Sequence, residues 1–440
     1  MKPIVHIVHH VDTEGPLYES LEETFARLND ILGEKLNIEP TRENLLKLQN
    51  GLYEGLNTEK KELIRTVVQP HLLQYKTSWS EIDEMLYRIL SKKYREKFKD
   101  SYGNSWVYNW HIMDHAGFET NPRHRDLGYL NIFDHYRTIL KETQSLTQDE
   151  IHWHFHPVHF NRQANICATS YENCYKELHQ ILCRRLIERD WFPIVNRAGL
   201  HTERPDSHWF IEQWLPFDAS NQAIENDDYC SNGRWGDWKG APVDWSIYHP
   251  DFYDWRKIGN CNRLISRVLN LKTRFRNITV YEIEKAFEKA RKQKTDVYLG
   301  VTDHDFREIS VEIEEFYSDL LQVHQNYQDV DFKFSKSVEA FRAVAGLTEK
   351  SLDFDCELVG NVLHIKVNEG EIFGPQPYLA LKTKSGDYLH DNLDFGNFKK
   401  EYFYTFDIHT VPLDQVAIIK LAANSRSGNQ KIKTIDLSHN

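Results

Sequence analysis

One repeated unit restricts the fold of this chain more than any other feature. A short run of β-branched and aromatic residues ends in ionisable side chains, and an amphipathic helix comes later. Residues 4–11 (IVHIVHHV) run into Asp12-Thr-Glu14-Gly-Pro, a turn signal. EIHWHF (150–155) runs into His156-Pro157, WFPIVN (191–196) into Arg197-Ala-Gly, and DVYLGVTDHDF (296–306) carries Asp303-His304-Asp305 near its end. A further strand is expected over 105–113, and helices over 131–143, about 170–189, 279–293 and 308–325. Strands alternating with helices predict a parallel sheet with crossover helices, most simply a barrel. In such a fold the sites lie at the C-terminal ends of the strands.

Two segments depart from this rhythm. Residues 17–100 carry apolar residues at spacings of three and four and many charges, too long for a connection, and read as an inserted helical subdomain. From 352 to 437 short alternating runs (VLHIKV, PYLALKT, EYFYTFDI, VAIIKLAA) separated by Gly, Asn and Asp predict an all-β sandwich of about seven strands. The expected organisation is an α/β barrel over 1–348 and a β-sandwich over 349–440. No low-complexity linker separates them, so the two should pack directly on each other.

Charge and composition narrow the partners. With 66 acidic against 54 basic residues the net charge is −12, which repels nucleic acid unless a local basic patch overrides it. No run of about 18 apolar residues occurs, so no membrane span is expected. The start, MKPIVHIVHHVDTEGP, is too short in apolar residues and too rich in His for a signal peptide, which predicts a cytoplasmic protein. Cys167, Cys174, Cys183, Cys230, Cys261 and Cys356 form no CxxC pair and read as free thiols in a reducing compartment.

His154-Phe-His156 is the sharpest chemical signal. Residues i and i+2 of a strand face the same side, so both imidazoles can meet one ion. Asp12 or Glu14 can supply a third ligand, and two histidines with a carboxylate suit zinc or another transition ion with a position left open. His152 shares that face as a core residue or a supporting one. Either acid of Asp12-Thr-Glu14 can bind metal while the other acts as general base. Arg197 can hold a carboxylate bidentately. His304, flanked by acids, has its imidazolium form favoured, which suits a general acid.

Taken together, HVDTEGP (10–16), EIHWHFHP (150–157), NRAG (196–199) with FDASN (217–221), and VTDHDF (301–306) resemble in order the motifs of the polysaccharide deacetylases, carbohydrate esterases with a NodB-like domain. The resemblance covers roughly 1–15 and 105–345. It implies a distorted (β/α)7 barrel, a divalent metal (often zinc), and hydrolysis of N- or O-acetyl groups on a carbohydrate substrate. It also implies one of Asp12 and Glu14 as base and the other as metal ligand, motif order favouring Asp12 as base and Glu14 as ligand, with His154 and His156 as further ligands, Arg197 orienting the base and His304 as general acid. The chain departs from the family in having Asp-Thr-Glu instead of two adjacent aspartates, and HxH instead of a His pair spaced by four. His152 with His156 restores that spacing, and His159 is also near, so the ligand set stays open by one residue. Two rival readings are a glycosidase on the same barrel recruiting Asp218 or Asp303, and a non-catalytic glycan-binding protein.

Overall fold

The computed structural model describes residues 2–163, 170–201, 203–226 and 238–438. Eight parallel strands form its first sheet: β1 (Ile4–Thr13), β2 (Tyr108–Ile112), β3 (Glu150–Phe155), β4 (Val195–Ala198), β5 (Phe217–Asn221), β6 (Leu264–Asn270), β7 (Val297–His304) and β8 (Asp331–Phe334). The first seven close into a barrel because β1 pairs with β7 on one side and, through His9 to Thr13, with β2 on the other. β8 takes the lower half of that second edge, pairing with Ile4 to Ile7.

Between β1 and β2 lies a helical insertion: α1 (Leu21–Leu32), α2 (Arg42–Gln49), α3 (Thr58–Val67), α4 (Trp79–Leu90) and the single turn α5 (Lys92–Arg95). Capping boxes start two of these helices, Ser20 with Glu23 and Ser78 with Glu81, each satisfying otherwise orphaned N–H groups. The barrel helices follow as α6 (Asn131–Glu142), α7 (Tyr175–Arg189), α8 (Pro205–Trp214), α9 (Val280–Gln293), α10 (Ile309–His324) and α11 (Ser337–Val344). Val338 and Phe341 of α11 pack with Val8, Val195, Phe217 and Tyr298, an apolar layer contributed by β1, β4, β5 and β7.

Histidines make up much of a polar layer within the barrel. His111 Nδ1–H donates to the Trp153 carbonyl at 3.2 Å, so its Nε2 accepts from His10 Nδ1–H at 2.7 Å. His10 Nε2 then accepts from the Tyr298 hydroxyl at 2.9 Å. Burial, reinforced by neighbouring charges, holds both rings far below the usual histidine pKa, so the chain of bonds is neutral. His152 belongs to this layer, 3.4 Å from Asn109 Oδ1 and 3.1 Å from Glu150.

From Asp353 onward the described elements are strands and one 3-10 turn. They are β9 (Asp353–Val359), β10 (Val362–Glu369), β11 (Tyr378–Thr383), β12 (Tyr388–Asp391), β13 (Asp394–Phe395), β14 (Glu401–Thr405), β15 (Val416–Asn424) and β16 (Gln430–Asp436). Two antiparallel sheets, β13-β14-β10-β9 and β12-β11-β15-β16, enclose Leu363, Ile365, Leu379, Leu381, Ile419 and Leu421. β10 alternates buried and exposed residues as a half-buried strand must. β11 does not, because its second face (Tyr378, Ala380) packs with Leu178 and Leu182 of α7 and Trp214 of α8. The Tyr378 hydroxyl meets His179 Nδ1 at 2.7 Å across this junction.

Several sequence expectations shift. The strand expected at 191–196 is β4, which begins only at Val195 after Pro193, so Arg197 lies within the strand instead of beyond it. β5 and β6 were not expected as strands, since FDASN and LISRVLN put Asp, Ser, Asn and Arg on positions that the fold buries. Cys174 and Cys183 are buried free thiols, and Cys261 and Cys356 are half-buried ones; Cys167 and Cys230 lie outside the described residues. Among the described residues no helix is long and apolar enough to cross a membrane.

Candidate metal centre

Strand alternation brings Asp12, His154, Arg197 and His304 to one end of the barrel: β1 pairs Asp12 with His304 of β7, and β3 pairs His154 with Arg197 of β4. Glu14 follows on the turn after β1, where Gly15 adopts φ 70°, a left-handed conformation that favours glycine. That turn is clamped by the residue that follows β7: Asp305 accepts the Glu14 and Gly15 amides at 2.9 Å each and the Tyr136 hydroxyl at 2.8 Å. Burial pushes the Asp305 carboxyl up to about 7 in spite of these donors.

Glu14, His154 and His156 each offer a ligand atom, and the three atoms lie within 4.8 Å of one another. This group can hold a metal ion. His154 Nδ1–H donates to the Arg197 carbonyl at 2.9 Å, which leaves the Nε2 lone pair free, as a ligating imidazole requires. That Nε2 lies 2.9 Å from His156 Nε2, and His156 Nε2 lies 3.6 Å from Glu14 Oε1. Burial, then His154 and Arg125, hold the His156 ring far below its usual pKa and therefore neutral. Glu14 Oε2 also pairs with Arg125 at 2.7 Å.

Asp12 is fully buried beside this group. Arg197 Nε donates to its Oδ1 at 2.6 Å while Arg197 Nη1 donates to the Ala219 carbonyl at 3.0 Å, so one guanidinium ties the carboxylate to β5. The contact is made through one nitrogen, not the bidentate fork expected from the sequence. Asp12 Oδ2 has no hydrogen-bond partner among the described residues, and His304 Nε2 lies 3.7 Å from it and 3.8 Å from Glu14 Oε1.

Three sequence expectations change here. The acids flanking His304 do not face it: Asp303 turns to the opposite side of β7 and meets His9 at 3.1 Å, and Asp305 holds the Glu14 turn. The charges near His304 come from Asp12 and Glu14. Asp218, the other rival carboxylate, is bonded to Asn196 at 3.0 Å and lies 3.3 Å from Arg263; burial and the neighbouring Glu203 push it up to about 7. Neither Asp218 nor Asp303 lines the pocket described below. His152 sits in the polar layer of the barrel, and His159 bonds to exposed Asn161 at 2.7 Å, so neither belongs to the Glu14–His154–His156 group.

These residues open onto a pocket of about 190 Å³ lined also by Phe118, Gln222, Asn270, Phe275 and Phe306. Sequence reasoning missed its arginines, of which Arg125 is the nearest to the acids, since no local motif marks them. Gly199 of NRAG lies against the site: a Cβ there would collide with the Phe155 carbonyl oxygen and the His156 ring. Gly199→Ala is expected to displace His156 and weaken metal binding by about 10- to 100-fold, the range seen when a ligand's support is lost. Equilibrium dialysis against zinc checks this, and wild-type affinity would show that the loop yields instead of the ring.

The chain matches no protein-family model, no curated protein and no solved structure with which it was compared.

Proposed function

We propose that the chain is a metal-dependent hydrolase of the polysaccharide deacetylase type, removing acetyl groups from an N-acetylated (or O-acetylated) sugar. One observation carries the reading: a buried carboxylate, Asp12, has one oxygen fixed by Arg197 and the other unmatched, between a Glu–His–His group and His304. The order of motifs along the chain supports the same assignment.

Glu14, His154 and His156 would hold the ion, zinc by the two-nitrogen, one-oxygen donor set. A divalent ion there would polarise the acyl carbonyl and lower the pKa of a water beside it. Asp12 Oδ2 takes the proton from the attacking water as oxygen bonds to the acyl carbon. Arg197 keeps that carboxylate aimed throughout. When the C–N bond breaks, His304 Nε2 gives its proton to the departing amine nitrogen, leaving acetate and a free amino sugar. The rings of Phe118, Phe275 and Phe306 offer apolar faces to a sugar, and Asn270 and Gln222 offer donors and acceptors to its hydroxyls. The free thiols of Cys174, Cys183, Cys261 and Cys356 support a reducing, cytoplasmic setting.

The test is acetate release from a panel of N- and O-acetyl sugars with zinc present, after chelation, and after zinc is restored. Acetate that vanishes on chelation and returns with zinc is expected, with no glycosidic cleavage. A metal-loaded, folded protein that releases no acetate from any member of the panel refutes the reading.

A further inference from the structure

The pocket wall holds more positive charge than the proposed reaction uses. Arg27 from α1, Arg123 from the segment after β2, Arg274 from the segment after β6 and Arg307 from the segment after β7 all line it, in a protein whose net charge is −12. Glu19 is the carboxylate paired with the first two: Arg27 binds it at 2.9 and 2.7 Å, and Arg123 lies 3.3 Å away. Burial alone would raise the Glu19 carboxyl, yet Arg27, with Arg123 and Arg274, holds it down at about 2. Arg274 donates to the Val67 carbonyl at 2.9 Å and reaches the Tyr75 hydroxyl at 3.4 Å, both neutral. Burial, Arg27 and Arg307 pull its guanidinium down to about 9, still charged at neutral pH. Arg27, Arg123 and Arg274 thus set three guanidiniums against the Glu19 carboxylate, a surplus of two positive charges before Arg307 is counted.

Donors are also left over. Arg27 is 4% exposed and its Nη1 is buried without a hydrogen-bond partner among the described residues, as are Arg123 Nε and Arg307 Nε. A buried guanidinium N–H without an acceptor is costly, and an anion in the pocket these residues line would offer one.

We infer that this wall binds a phosphate dianion carried by the substrate, so that the enzyme acts on a phosphorylated acetyl sugar. A surplus of at least two suits a phosphate, which carries about −1.5 to −2 charges at neutral pH, better than a carboxylate with one. The pocket, small beside the roughly 300–1,000 Å³ of drug-sized sites, suits one sugar ring and its phosphate. The sugar and its acetyl group rest on the deacetylase reading; the phosphate site does not.

The experiment therefore has two arms. Inorganic phosphate is titrated calorimetrically into the full chain after chelation, where the metal centre cannot bind it. One site per chain is expected, weakened at least about tenfold in Arg274→Gln and in Arg123→Gln, since each removes a charged donor. The two variants stand on different segments, so misfolding of one leaves the test intact. In the other arm, zinc-loaded enzyme is offered a neutral N-acetylhexosamine, its phosphate ester and the corresponding uronic acid. At least about tenfold higher kcat/KM on the phosphate ester is expected, with the preference shrinking in Arg274→Gln. Absence of phosphate binding, wild-type affinity in both variants, or equal or better turnover of the neutral or uronic sugar overturns the inference. Phosphate binding that the variants weaken, with no acetate from any sugar, upholds the anion site and sinks the deacetylase reading instead.

Discussion

Double replacement of His154 and His156 by Ala is expected to abolish metal binding and to reduce acetate release by about 10³-fold or more, the weight of the several kcal/mol that an electrophilic ion supplies. The barrel itself should survive. Both rings stand at the end of β3, and their polar contacts are the Arg197 carbonyl, Asp12, Glu14 and each other. Loss of the His154–Arg197 bond costs about 1 kcal/mol, small beside the stability of a folded chain. Linkage gives an independent readout. An ion that binds only the folded chain raises stability by about 2.7 kcal/mol at a hundredfold excess over Kd. Zinc should therefore raise the Tm of the wild type and leave that of the double variant unchanged. Stoichiometric metal in the double variant would show that the ion is held elsewhere.

The parts of this centre legible in the sequence are those that strand geometry makes local. His154 and His156 are two apart near one strand end, and Asp12 and Glu14 near another, so period two predicted shared faces without knowledge of the partner strands. The same rule, left unapplied, misled at His304, where the acids at i±1 necessarily leave its face. β5 and β6 were illegible because a small barrel buries polar side chains by bonding them inward, and FDASN carries no apolar alternation to mark it as a strand. β11 broke its alternation for a tertiary reason, a second covered face against α7 and α8. The arginine wall is wholly non-local: its members come from four segments separated by up to 280 positions (Arg27 to Arg307), and only the closed barrel assembles them. Gly199 shows a middle case, a residue visible within a motif whose reason appears only when Phe155 and His156 pack on it.

Asp12 and His304 are separable by two substitutions that act on different halves of the reaction. In Asp12→Asn the side-chain oxygen still accepts from Arg197 Nε, so the residue keeps its place, but an amide nitrogen replaces the unmatched Oδ2 and cannot take a proton. Turnover should fall about 10²- to 10⁴-fold on every substrate while metal content is retained, because Glu14, His154 and His156 are untouched. Loss of the ion in this variant would make Asp12 a ligand and move the base to Glu14. His304→Ala leaves the attacking water and its base in place and removes the proton donor for the leaving group. An amine cannot depart as an anion, so N-acetyl substrates should lose about 10²-fold or more. An activated aryl acetate releases a stable phenolate and should lose much less. The ratio of the two rates, measured in wild type and variant under the same metal loading, isolates proton donation from positioning. Equal losses on both substrates would mean that His304, through its approach to Asp12 and Glu14, only holds the acids in place. Full activity on the amide would remove it from the mechanism.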